Sequence, residues 1–182
     1  AGIGVSTDKA GDFIIRLATT VNQLENTTTA SASDIVQSMQ NMISTAASLG
    51  TDATPFIAGF AATMYELGMS PRRAGTAFTR TTQYMVQNMD KVANLLGQDV
   101  AEVQQQFDDD FTGTMMSVIE TIGRVESRTE RTDLAQDIFG KRAGRMVQLV
   151  SENYDELIKN LKTAHGEYAS GDSLIREYNE AM

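Results

Sequence analysis

The stretch YELGMSPRRAGTAF, residues 65–78, ends one helix and begins another within four residues. Gly68 stands just past a helical run, where a glycine accepts the positive φ that closes a helix. Pro71 follows with Ser70 before it. Proline at the first helical position gives up only an N–H that has no intrahelical partner, and serine is a favoured N-cap. Ala74, Gly75 and Ala77 then show a small face where helices usually carry bulk, which predicts close approach of a neighbouring helix. The reading is helix, tight turn, helix.

Working outward, the same grammar repeats. Phe13, Leu17, Val21 and Leu24 form one apolar stripe after a start at Thr7 or Asp8, and the Ser/Thr cluster ENTTTASAS interrupts it. Ser31 or Ser33 caps a second helix with the face Ile35, Val36, Met39, Met42, Ile43, Ala46 and Leu49, ending at Gly50. A third starts near Pro55 and runs through Phe56, Phe60, Met64 and Leu67. The helix from Pro71 continues or kinks into DKVANLLG and stops at Gly97, and the next carries Val100, Val103 and Phe107.

Beyond it the pattern gives a helix around TMMSVIETIG, a charged connection RVESRTERTD and a short helix from Leu134 to Phe139 that breaks at Gly140. A long helix follows with Val147, Val150, Tyr154, Leu157, Ile158, Leu161, Ala164 and Tyr168 on one side. A last turn and helix begin after Gly171. No segment sustains apolar/polar alternation. The fold class expected is all-α, with several helices in antiparallel hairpins joined by short Gly/Pro turns in compact orthogonal or bundle-like packing. The Leu-Gly stops at Gly50, Gly68 and Gly97 lie 18 and 29 residues apart, so no fixed repeat is present.

Composition narrows function. The 182 residues carry 24 acids against 15 bases, a net charge of -9, which is the wrong sign for binding nucleic acid by neutralising phosphates. There is no cysteine and one histidine, so neither a disulfide framework nor a thiolate or multi-histidine metal centre can form within this chain. No apolar run approaches the roughly 20 residues needed to span a bilayer as a helix. Charge is also uneven. From Thr27 to Tyr65 only Asp34 and Asp52 are charged, whereas Asp90 to Glu120 holds seven acids and Lys91. The uncharged stretch reads either as a docking surface or as tight helix packing through small residues.

Four local features invite chemistry. Asp108, Asp110, Thr112 and Gly113 match the first, third, fifth and sixth positions of a calcium loop, but the twelfth is Ile119 and Glu120 comes one residue late. The run is instead expected to be a solvated helix start. His165 in KTAHGEY has no partner at metal or nucleophile spacing, and the glycines of GIG and AGT lack the strand and lysine of a phosphate loop. Arg72 with Arg73, and Lys141, Arg142 and Arg145 in FGKRAGR, could bind an acidic partner surface such as the Asp108–Asp110 run of another copy; the alternative is ordinary solvated positions. The ten methionines are expected in the core. No catalytic, cofactor-binding or metal residue is assigned, and no cofactor is expected.

The order SASDIVQSMQNMISTAASLG, FIAGFAATMYELGMSPRRAGTAF, LLGQDVAEV, DIFGKRAGRMVQLV, GDSLIREY resembles the tail tape measure proteins of long-tailed bacteriophages and prophages, in a helical domain of that family. The likeness runs from about residue 31 to the end. Residues 1–30 are accordingly expected to be a helix continuing from a segment upstream, and 31–182 the tape-measure-type domain. The resemblance implies a non-enzymatic virion component, made in the host cytoplasm, that helps set tail length and leaves the tube at infection. Its implied partners are tail tube and tail-tip proteins, tail assembly chaperones and further copies of itself, without direct nucleic-acid binding. A membrane-active module for genome delivery and part of a lytic tail enzyme are the other two classes. Gly50, Gly68, Gly97 and Gly140 interrupt the helices, so the segment is expected to be a compact module and not the measuring rod.

Overall fold

Caps and left-handed glycines set the helix ends in the computed structural model, which describes residues 7–48 and 53–171. In chain order these are α1 (Thr7–Thr27), α2 (Ala32–Ser48), α3 (Thr54–Glu66), α4 (Pro71–Gln87), α5 (Met89–Leu96), α6 (Val100–Asp109), α7 (Phe111–Gly123), α8 (Arg128–Glu152) and α9 (Tyr154–Ser170). Among the described residues there is no strand. The fold is all-α, as the periodicity requires.

The decisive turn closes as its residues dictate. Gly68 takes φ 78°. Its N–H donates to the Tyr65 carbonyl at 2.8 Å, and Met69 N–H donates to the Met64 carbonyl at 3.0 Å, the paired bonds that satisfy the last carbonyls of α3. Ser70 occupies the N-cap position of α4 with extended φ/ψ, but its side chain makes no cap hydrogen bond. The expected serine cap is thus positional only, and Pro71 supplies the start. Real side-chain caps occur at Ser31, which accepts from Asp34 N–H at 3.2 Å, and at Asp99, which accepts from Ala101 N–H at 2.8 Å.

Helix α3 is the centre. Every residue from Thr54 to Met64 is buried, and α1, α2, α4 and α9 all pack on it. Phe56 and Phe60 open a chain of rings that continues through Phe78 of α4, Phe111 of α7 and Phe107 of α6, with centroids 5.4 to 6.1 Å apart and mostly edge-to-face. Each such ring contributes about 1.5–3 kcal/mol by burial. Asn160 of α9 donates to Thr63 Oγ1 at 3.0 Å and to Glu66 Oε2 at 2.8 Å, fixing the register of α9 on this apolar centre. The low charge of 53–65 is therefore explained by burial.

The small face at Gly75 is a packing face. A Cβ added there would overlap Asn41 Cβ and lie 3.3 Å from Asn41 Cα, so α2 and α4 approach with no room for a side chain. Gly140 breaks α8 into arms 128–139 and 141–152, with φ 67° and ψ 167°. The break frees carbonyls near the end of the first arm. Asn88 Nδ2 donates to the Ile138 carbonyl at 2.7 Å, and Lys91 Nζ donates to Asp137 Oδ1 at 2.8 Å and to its carbonyl at 3.1 Å.

Several expectations need correction. Val36, Ile43 and Val100 are exposed, because α2 and α6 lie at the edge and bury narrower stripes than their apolar residues allow. The charged connection is only 124–127. Ser127 accepts from Glu130 N–H at 3.3 Å and starts α8 at Arg128, so the rest of RVESRTERTD is helical. The long helix after Gly140 is divided at Asn153, whose φ of -119° ends one helix and opens α9. The stop at Gly50, with Leu49, and the helix after Gly171 lie outside the described residues.

Candidate functional site

Arg72, Arg73 and Lys141, Arg142, Arg145 are about 70 residues apart in sequence. Packing of α4 on α8 brings the arginines of both blocks to one groove, and adds Arg80. Arg72, Arg73, Arg142 and Arg145 are exposed and Arg80 is half-buried. The floor is apolar, made by Met69, Ala77, Ala143, Met146 and Leu149, around a volume of about 530 Å³. Among the described residues no carboxylate lines it.

The electrostatics of this groove differ from the rest of the molecule. Nine of the ten arginines lie among the described residues. The four outside the groove all have carboxylate partners: Arg16 with Asp12 at 2.8 Å, Arg124 with Glu120, and Arg128 and Arg131 with Glu152 at 3.9 and 3.3 Å. The five in the groove have none among the described residues. Arg72 and Arg73 also stand in the first turn of α4, which has no acid of its own, where the helix dipole disfavours a cation. Arg142 holds the same position in the second arm of α8.

The paired arginines serve structure. Arg16 donates to the Tyr168 and Ala169 carbonyls at 2.8 and 2.7 Å, tying α1 to the end of α9, and the Asp12 hydrogen bond and charge raise its pKa further. Arg131 holds the 124–127 connection through the Val125 carbonyl at 2.7 Å. Tyr154 titrates above its ordinary value through burial first, then through the neighbouring Glu120 carboxylate. Neither of these two groups is in the groove.

The remaining sequence candidates separate. Asp110 is spent as the N-cap of α7, accepting from Gly113 N–H at 2.9 Å, while Asp108 and Asp109 end α6 on the other side of the junction. The near-match to a calcium loop is a helix–helix corner. Among the described residues no group of three or more His, Asp or Glu converges as a metal set, and His165 is exposed on α9. No described helix is long and apolar enough to cross a membrane. Sequence reading found four of the groove's five arginines but not that they meet. Arg80 could have been found by its helical spacing, seven residues after Arg73 and so on the same face.

Residues 2–140 match the family model described as phage-related minor tail protein. The chain belongs to that family. The match covers most of the chain, so a structural role in the phage tail and a place in the virion tail follow from membership. No curated protein matches this minor tail protein, and no solved structure does. Arg142 and Arg145 fall just beyond the matched span, so the groove is completed by residues outside it.

Proposed function

We propose that this minor tail protein chain is a compact, hairpin-built module of a tail tape measure protein, one that helps set tail length and is ejected from the tube at infection. The order of sequence blocks supports the reading: LGMSPRRAGTAF is the α3–α4 hairpin, and DIFGKRAGR is the break in α8. The observation that carries the compact-module part is the all-round burial of α3. A rod would expose its middle helix. As one straight helix 182 residues would reach roughly 270 Å, at about 1.5 Å per residue, whereas here nine described helices fold back on one core.

Its partners in this reading are tail tube and tail-tip proteins and the tail assembly chaperones, with the host cytoplasm as the place of assembly. An in-frame deletion of the module, with tail lengths measured by electron microscopy, tests it. Failed assembly or unchanged length is expected. Shortening in proportion to the residues removed would show that the segment is part of the ruler itself.

A further inference from the structure

We infer that the arginine groove between α4 and α8 receives the α6–α7 corner of a second copy of this chain, giving a head-to-tail contact. Five guanidiniums without carboxylate partners among the described residues surround an apolar floor. A chain with net charge -9 has acids to spare, yet none among the described residues lines this groove. The groove therefore fits an acidic surface that also offers some apolar area.

The same chain carries that surface. Glu102, Asp108 and Asp109 are exposed on α6, and none of their carboxylates has a cationic partner among the described residues. Glu102 and Asp109 share one cleft between α6 and α7, beside Gly113 and Thr114. Helix α6 packs on α5 and α7, and its carboxylates make no ion pair with the groove of their own chain. Arginine forks suit carboxylates, often bidentately. The two surfaces are different patches, so the contact is heterologous, and its repetition gives a ring or an open stack. A phosphate backbone is the other polyanion that could enter the groove, but the acidic balance of the remaining surface opposes it.

The test uses two charge-reversed forms of the 182-residue chain. One is Arg73→Glu with Arg145→Glu; the other is Glu102→Lys with Asp109→Lys. Sedimentation and light scattering of the parent chain should show association that weakens about tenfold or more as salt rises from low to molar concentration, because screening shortens to a few ångströms. Each variant alone should be monomeric. Mixed together, the groove of one and the corner of the other remain intact, so association should return.

A parent chain that stays monomeric at millimolar concentration overturns the inference. So does association that survives reversal of the groove, including the case where reversal abolishes binding to duplex DNA instead. Circular dichroism checks folding, and the milder Arg73→Gln with Arg145→Gln repeats the measurement if the reversed groove variant unfolds. Failure here leaves the tape-measure reading standing, since tail length is measured separately.

Discussion

Helices α3 and α4 flank one four-residue turn and are both rich in Ala, Gly and Thr, yet they end in opposite environments. From Thr54 to Met64 α3 has no charge and is buried on every side. Helix α4 buries Ala74, Gly75, Phe78, Thr81, Thr82 and Met85 and turns Arg72, Arg73 and Gln83 to solvent. Small residues allow close approach in both. What separates centre from edge is where the charges fall: an unpaired guanidinium cannot be buried without a large desolvation penalty, so three arginines hold one side of α4 outward.

The contrast can be broken most severely at its shared core. Phe60→Ala removes the ring that joins Phe56 to Phe78 at a fully buried position, and should destabilise by about 3–5 kcal/mol in denaturant unfolding. A loss below about 1 kcal/mol would show that α3 is not the centre. Gly75→Leu tests the α4 side. With Asn41 in direct contact and no space for a Cβ, overpacking should cost about 1–3 kcal/mol; a thermal midpoint equal to the parent's would remove the close α2–α4 contact.

The smallest effect sharpens the comparison most. Arg73→Gln and Arg145→Gln change exposed groups without partners among the described residues, and should leave stability within about 0.5 kcal/mol. Arg131→Gln should cost more than either, because it loses the Val125 carbonyl and Glu152 together. If all three changes destabilise equally, the division between structural and free arginines fails. Unfolding midpoints measured side by side decide this.

Much of the fold is legible in order along the chain. The stops at Gly68, Gly97, Gly140 and Gly171 all fall at positive φ, and the caps at Ser31 and Asp99 are where a serine before Ala32 and an aspartate before Val100 place them. Exposure was less legible. Val36 and Ile43 lie on a helical face that looks apolar in sequence, but among its described residues only Ile35, Met39, Met42 and Ala46 are buried. A helix shows its own periodicity, and not how wide a strip its partners cover.

By itself the sequence determined that the chain is all-α and where most helices begin and end, the start of α8 and the division at Asn153 excepted. Caps, proline and left-handed glycine act through hydrogen bonds and torsions within a few residues, so the information is local. It also carried the ordered blocks that point to the phage tail. Only the tertiary structure decided that α3 lies at the centre, that Asn88 and Lys91 receive the broken end of the first α8 arm, and that five arginines from two distant blocks share a groove. Those facts depend on which helix faces pack together across tens of residues. Whether an arginine is paired or free is a property of that packing.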